Sequence, residues 1–367
     1  MMKQVLSGRI MIQMLSIIIV LSGCSSNLNI FNGNDSSESG ELTVYTTLPE
    51  DEVAIYIADF QTAYPYIEVT VVRESIAPMM DLLLSKQDKP QGRWSIASLM
   101  ENLLPQQNEP QADVIWDIGL TSALYFEWND LLKPYVPLGI SRVDRLFIDE
   151  QEPPYWVGSS LSLTGFCVNP SEIARLGARI PTSWDDLLDP SYRRQIVMSN
   201  PATTETGLMA VLSILERMGE PDGWPYLDRL HRNIAYYTEG ESTPCELADQ
   251  GEIAIGIAKR FDRFTHVEMI YPVEKSGWEL HVSAIIRKDT IKPVAKTFMD
   301  WTISEDLMRL RSRKTAITAY DIGFEKPVGY PANPRDQLIT RNIPWSAANR
   351  ERILHEWRDR YGDKLQQ

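Results

Sequence analysis

The sequence predicts an α/β protein with two lobes. In the first third of the chain, short apolar strands alternate with amphipathic helices, a pattern typical of parallel sheets. Two longer stretches, residues 156–168 and 278–287, alternate polar and apolar residues and are interpreted as strands that lead into a second lobe and back. The chain has 367 residues, 43% of them apolar and 23% charged, which is enough to bury the cores of two lobes.

The first lobe begins with strand and helix units. Residues 42–45 form a short apolar strand, and the next segment repeats apolar residues at helical spacing through Val53, Ile57 and Phe60. Further strands are predicted over residues 67–72 and 112–116, with a helix through Leu84 between them. Ligands of such sheets lie beyond the carboxyl ends of the strands, so we expect the residues there to share one cleft. These residues are Thr46, Thr47, Ser75 and Asp117.

The rest of the chain sets the predicted domain boundaries. We assign residues 41–157 and 278–330 to the first lobe and residues 158–277 to the second. Residues 331–367 form a C-terminal helical segment that packs on the body, because Ile353, Leu354 and Trp357 alternate there with charged residues.

One insertion interrupts the first lobe. Residues 87–111 are rich in Gln, Pro and Asn, yet they carry apolar residues at nearly helical spacing. Two interpretations stay open: a surface decoration, or a lid or partner-docking element, since long loops are often functional.

The N-terminus predicts export and lipidation. Lys3 and Arg9 precede an apolar run over residues 14–21, which is too short to span a bilayer but typical of a signal peptide. The run ends in a Leu-Ser-Gly-Cys sequence that resembles the lipobox of bacterial lipoproteins, so we expect residues 1–23 to be removed and Cys24 to be acylated. Residues 24–40 would then be a flexible tether. The alternative is an ordinary signal peptide with Cys24 incidental.

Charge and side-chain chemistry exclude several classes of function. The net charge of -14 repels polyanions, so nucleic acid is not an expected partner. The four histidines lack the short spacing of metal ligands, and no cofactor motif is present. A paired-carboxylate hydrolase through Glu205 and Glu241 is disfavoured because no nucleophile or activated water is indicated, so we expect neither an enzyme nor a metal site. Cys167 and Cys245 form either a disulfide or two small buried apolar residues.

Several short motifs, taken in order, resemble the substrate-binding proteins of ABC importers. They are residues 42–46 (LTVYT), 72–75 (VRES), 112–116 (ADVIW), 196–202 (IVMSNPA), 233–238 (NIAYYT), 242–245 (STPC) and 345–354 (WSAANRERIL). The resemblance is to the 2-aminoethylphosphonate-binding group, which is related to ferric-ion and sugar-phosphate binding proteins. It implies a type 2 periplasmic-binding-protein fold, in which each lobe has a central mixed sheet flanked by helices and the ligand binds between the lobes.

The resemblance and the residues together suggest an anion cradle. Thr203, Thr204 and Thr206 lie around the start of a helix near Gly207, where hydroxyls and unpaired backbone N–H groups converge. Ser242 repeats this arrangement before a helix near Pro244, and Ser75 would close the cradle from the first lobe. A carboxylate such as Asp117 could pair with a ligand ammonium. The alternative is that these hydroxyls are ordinary helix N-caps.

Two positions depart from the related proteins. Where their pattern has glycine, this chain has Glu205 and Glu241. If these side chains point outward, a phosphonate site is retained; if they point inward, they favour a cationic or zwitterionic solute. The ferric-ion branch has a tyrosine pair where this chain has Lys259, Arg260 and Phe261, which disfavours ferric binding.

The expected function is a monomeric, lipid-anchored, extracytoplasmic or periplasmic solute-binding protein. It would bind a small aminophosphonate or phosphorylated metabolite between its lobes and deliver it to an ABC permease. The alternative is a sensory protein that docks on a receptor or sensor kinase ectodomain, with a cleft altered by Glu205 and Glu241.

Overall fold

The computed structural model describes residues 39–84, 112–259, 264–315, 317–323, 327 and 329–365. The predicted signal peptide, Cys24, nearly all of the tether and the insertion at 87–111 lie outside these residues. The described residues belong to one compact unit. Among them, no helix combines the length and the apolar character that crossing a bilayer requires.

Three parallel strands form one end of the sheet. Strand β1 (Gly40–Thr46) pairs with β2 (Ile67–Arg73) on one side and with β3 (Val114–Gly119) on the other. The helices that follow these strands are α1 (Glu50–Ala63), α2 (Ile76–Leu84) and α3 (Leu120–Trp128). Both β1 and β2 end where the sequence predicts polar turns, whereas β3 continues beyond Asp117 to Gly119.

A long strand passes from one half of the molecule to the other. The first half of β5 (Val157–Val168) pairs antiparallel with β10 (Trp278–Ile286), and its second half pairs antiparallel with β8 (Ile255–Lys259). Strands β6 (Ile196–Ser199) and β7 (Ile234–Thr238) extend the far side in parallel. The strand order is β2-β1-β3-β10-β5-β8-β6-β7, with β4 (Leu132–Lys133), β9 (Glu268–Ile270) and β11 (Ile317–Thr318) paired beside it. The predicted mixed α/β architecture is confirmed.

Helices cover the two halves of this sheet. On the second half they are α4 (Pro170–Leu176), α5 (Glu205–Met218), α6 (Glu220–Asn233) and α7 (Thr243–Asp249). The later helices are α8 (Pro293–Trp301), α9 (Glu305–Ser312) and α10 (Ile343–Tyr361).

Two large hydrophobic cores underlie the two halves. One is built on β1, β3 and β10, with Phe60, Trp116 and Phe298 at its centre. The other is built on β6, α5 and α6, and includes Phe166 against Trp184. We call the parts built on these cores the first lobe and the second lobe. The exact boundaries, 41–157 with 278–330 and 158–277, stay a prediction.

The C-terminal helix belongs to the second core. Ile353, Leu354 and Trp357 of α10 are buried there, as their spacing predicts. The helix also contacts α3 of the first lobe, and it begins at Ile343, earlier than the apolar pattern alone indicates.

A disulfide ties α7 to β5. The structure joins Cys167 to Cys245 across a Cα–Cα distance of 5.3 Å, and both residues are buried. The bond fixes the start of α7, and therefore the loop before it, to the strand that links the lobes.

Candidate functional site

A cleft of about 360 Å³ opens between the two lobes. Its first-lobe wall is formed by residues that follow β1 and β2, and its second-lobe wall by residues that follow β6 and β7. Among the residues predicted for the site, those that line it are Thr46, Thr47, Ser75, Thr203, Thr204, Glu205, Glu241 and Ser242. The convergence follows from strand direction, because the loops after parallel strands meet at one edge of a sheet.

Hydroxyl groups at the cleft have different roles. The Thr204 hydroxyl accepts a hydrogen bond from the Gly207 amide at 3.1 Å and donates one to the Asn200 carbonyl at 2.8 Å, so it is an N-cap of α5. The Thr203 Oγ1 atom is buried and has no hydrogen-bond partner among the described residues. Thr203 is therefore the better candidate of the two for a solute contact.

The other hydroxyl groups predicted for the site differ in their hydrogen bonding and exposure. The Thr46 hydroxyl accepts a hydrogen bond from the Leu48 amide at 3.2 Å and is fully buried, so it shapes the turn after β1. The Ser242 hydroxyl donates to Glu246 at 2.8 Å. Thr47 and Ser75 are partly exposed at the cleft, whereas Thr206 is buried and is not part of its wall.

The start of α5 depends on the absence of a side chain at Gly207. A Cβ atom there would lie 2.3 Å from the Ser199 carbonyl oxygen. We expect Gly207→Ala to lower the free energy of unfolding by about 1 to 3 kcal/mol, because α5 must move away from β6. Urea denaturation measures the change. Gly362→Ala is the matched control, since its Cβ would meet its first neighbour only at 3.5 Å; an equal effect in both variants would contradict the explanation.

Glu205 turns inward and links the lobes. Both carboxylate oxygens lie 2.8 Å from the backbone nitrogen of Gly119, which donates to them from the N-cap position of α3. Burial, followed by the neighbouring charges of Glu279 and Glu241, raises the pKa of Glu205 to about 8. The carboxyl group is therefore mostly protonated at neutral pH.

Glu241 also turns inward and is neutralised by Lys259. Its carboxylate lies 2.7 Å from the Lys259 Nζ atom at the end of β8. Burial alone would raise the pKa of Glu241, but the ammonium of Lys259 outweighs it and holds the pKa below its ordinary value. The backbone amide of Thr206 donates to the same carboxylate. Glu241 thus satisfies part of the α5 N-terminus that the sequence assigns to a ligand anion.

Asp117 does not line the cleft, in contrast to the prediction. It lies inside β3, is only 2% exposed, and binds the Arg311 guanidinium at 2.5 Å and 3.1 Å. The Ser159 hydroxyl donates to it at 3.1 Å. Burial opposes ionisation, but Arg311 outweighs it and holds the pKa of Asp117 below its ordinary value. The charge of Asp117 is compensated by Arg311.

Around Asp117 lies a smaller cavity of about 60 Å³. Its wall includes Tyr56, Lys259, His281 and Arg311. Burial lowers the pKa of His281 to about 4, so this histidine is neutral at physiological pH.

Sequence reasoning missed three charged residues of the cleft: Arg73, Glu74 and Glu239. The Arg73 Nε atom donates to the Leu48 carbonyl at 2.7 Å, and its side chain is 44% exposed. Glu239 accepts a hydrogen bond from the Asn200 side chain at 2.9 Å. Arg73 lies two residues before Ser75 at the end of β2, so the rule on strand ends that selected Ser75 could have selected it as well.

The described residues contain no group of three or more His, Cys, Asp or Glu side chains arranged to hold a metal ion. Lys259, the described member of the segment that replaces the tyrosine pair of the ferric branch, forms an ion pair instead.

Comparison with known proteins identifies the family. Residues 110–338, more than half of the chain, match the family described as Bacterial extracellular solute-binding protein. The chain belongs to this family. The family match shows an extracellular solute-binding protein, and the predicted type 2 periplasmic-binding-protein fold is confirmed.

Individual relatives share less than 30% of their residues with this chain over the matched regions. An uncharacterised protein of Haemophilus influenzae is 28% identical over 244 residues, which cover 62% of this chain and 69% of that protein. The phosphoglycerate transport regulatory protein PgtC of Salmonella typhimurium is 28% identical over 102 residues, which cover 28% of this chain and 25% of PgtC. The periplasmic binding protein AfuA of Actinobacillus pleuropneumoniae, solved with fructose-6-phosphate, superposes with a TM-score of 0.75 at 22% identity and covers 89% of this chain and 99% of AfuA.

Proposed function

We propose that the cleft binds a small zwitterionic solute with one phosphonate or phosphate group and one ammonium group, and that the protein delivers this solute to an ABC permease. The 2-aminoethylphosphonate molecule is the simplest such solute. The observation that carries the proposal is the distribution of charge in the cleft. Arg73 and exposed Glu74 lie on the first-lobe wall, exposed Glu239 lies on the second, and the other two glutamates are already neutralised.

Arg73 is the proposed anchor for the anionic group. Its Nε atom donates to the Leu48 carbonyl, which orients the guanidinium, while the terminal Nη1 atom lies 3.9 Å from a Glu50 oxygen, in a long surface ion pair beyond hydrogen-bond distance. A guanidinium presents a planar fork that matches the oxygens of a phosphonate. Thr47 and Ser75 on the same wall add hydroxyl groups.

Neutralisation of Glu205 and Glu241 removes the main objection to an anionic group. A bare carboxylate 4 Å from a phosphonate would disfavour binding by about 1 to 4 kcal/mol. Lys259 offsets the charge of Glu241, and the raised pKa keeps Glu205 mostly protonated. Glu74 and Glu239 are left to bind the ammonium. AfuA, solved with fructose-6-phosphate, and PgtC, a phosphoglycerate transport regulatory protein, both concern phosphorylated solutes and support the same class.

Calorimetric titration of the chain from Ser25 onward tests the proposal. We expect 2-aminoethylphosphonate to bind, and ethylphosphonate and ethanolamine, which each lack one charged group, to bind at least about tenfold more weakly. Arg73→Gln should weaken binding by about tenfold or more, equivalent to about 1.4 kcal/mol, through loss of the charged fork.

Arg229→Gln on the exposed surface of α6 is the matched control and should bind like the wild type. Tight binding of ethanolamine without any phosphonate binding would contradict the proposal and indicate a cationic solute.

A sensory protein is the second candidate, and the match to a transport regulatory protein favours it. The proposed solute is the same, but the solute-bound form would contact a sensor kinase ectodomain. Pull-down with the permease and with the kinase ectodomain, each with and without solute, distinguishes the two.

We infer further that the mature protein is a monomer held to the membrane by a lipid on Cys24. The apolar run and the Leu-Ser-Gly-Cys sequence at residues 21–24 support the lipid anchor.

A further inference from the structure

The Glu205 side chain links the second lobe directly to the first. Glu205 belongs to α5, whose apolar residues lie in the core of the second lobe, and its partner Gly119 lies between Ile118 and Leu120 of the first core. Both carboxylate oxygens are 2.8 Å from the Gly119 nitrogen. Glu205 also lines the cleft, so the link lies in the wall of the proposed solute site.

The link depends on a close approach at Gly119 and is surrounded by charged groups. A Cβ atom at position 119 would lie 2.9 Å from the carboxyl carbon of Glu205, so the close approach requires glycine. The charged groups that face Glu205 are Glu279 on β10, Glu241 before α7 and Lys259 on β8. The link lies at a position where the resembled proteins have glycine.

We propose that Glu205 is a positioning residue that holds the two lobes together through its hydrogen bonds with the Gly119 amide. The inference concerns closure and does not require a particular solute. Where it concerns solute affinity, it rests on the function proposed above, because a solute held between the lobes binds more tightly to a protein that is already closed.

The protonation of Glu205 determines whether closure of the lobes is favoured at low or at high pH. When the lobes separate, water reaches the carboxyl group and its pKa returns toward the ordinary value. When they close, burial, Glu279 and Glu241 raise the pKa to about 8. The closed form therefore binds the proton more tightly. Closure is favoured fully at acidic pH and weakens by about tenfold per pH unit as the pH rises toward about 8, above which the effect is complete.

Distance measurement between the lobes tests the proposal without solute. Spin labels are placed at Gln61→Cys on α1 and Arg232→Cys on α6, both exposed positions, in the chain from Ser25 onward. The spin label reacts only with the two introduced cysteines, because Cys167 and Cys245 are bonded to each other. Interlobe distances are recorded by pulsed electron paramagnetic resonance at about pH 6 and about pH 9.

We expect the wild type to shift from a short distance at low pH to a longer one at high pH. Glu205→Gln keeps a carbonyl oxygen for the Gly119 amide and cannot ionise, so it should stay closed at both values. Glu205→Ala should be open at both. Glu127→Gln is the matched control, since burial also raises the pKa of this carboxyl, to about 7, but its contacts lie within the first lobe; it should behave like the wild type.

Equal distances in the wild type and Glu205→Ala at low pH would overturn the proposal, as would loss of the pH shift in Glu127→Gln. Far-ultraviolet circular dichroism confirms that each variant is folded. The outcome is independent of calorimetry: a protein that closes through Glu205 yet ignores 2-aminoethylphosphonate would contradict only the proposed solute. If both hold, the wild-type affinity, measured relative to that of Glu205→Gln, should fall between about pH 6 and about pH 8 in proportion to the closed fraction, by at most about tenfold per unit.

Discussion

Replacing both Cys167 and Cys245 with alanine is expected to lower the free energy of unfolding by about 4 kcal/mol. The two residues are separated by 78 positions, so the bond removes a large amount of conformational freedom from the unfolded chain. Both are buried, at 2% and 0% exposure, and truncation to alanine adds a small loss of packing. Urea denaturation under oxidising conditions measures the difference.

Reduction of the wild type provides the control for this prediction. It should move the urea midpoint in the same direction as the double substitution, and reduction of the variant should change nothing. An unchanged midpoint in the double variant would show that the bond contributes no stability.

Asp117→Asn is expected to lower the free energy of unfolding by about 3 to 5 kcal/mol. The substitution keeps the shape of the side chain but removes its charge, and it leaves Arg311 without its counter-charge at 4% exposure. An uncompensated buried guanidinium is costly because the surroundings replace little of its hydration. Guanidinium chloride denaturation at neutral pH measures the effect.

Two further variants separate this explanation from a general loss of packing. Asp117→Asn combined with Arg311→Met should recover much of the lost stability, since no unpaired charge remains. Asp130→Asn, at a surface pair with Arg287 in which the Asp130 side chain is 76% exposed, should cost at most about 1 kcal/mol. No recovery in the double variant, or an equal cost in Asp130→Asn, would contradict the role assigned to the pair.

The pair of Asp117 and Arg311 also predicts how the free energy of unfolding changes with pH. Because the pKa of Asp117 is lowered in the folded state, its contribution to stability is present above the ordinary range of a carboxyl group. The contribution is lost as the pH falls through the lowered value. The wild type should therefore lose stability more steeply on acidification than Asp117→Asn does.

The positions of the cleft residues could be predicted because they depend on local patterns. Strand boundaries follow from short apolar runs, and the polarity of parallel strands then places Thr47, Ser75, Thr203 and Ser242 at the same edge. The same rule places Arg73 there. The end of β3 was predicted too early, because Asp117 is a polar residue that tertiary burial keeps inside the strand.

The roles of the charged residues could not be predicted in this way. Sequence left the orientation of Glu205 and Glu241 open, since a glutamate at a helix start is compatible with solvent, with a ligand or with another part of the chain.

The sequence by itself determined the α/β architecture, the family and the loops that face the cleft, because each depends on patterns a few residues long. Only the tertiary structure decided which charges compensate one another. Glu205 meets Gly119 across 86 positions, and Asp117 meets Arg311 across 194. A Coulomb interaction and a desolvation cost depend on distance and burial in space, and separation along the chain specifies neither.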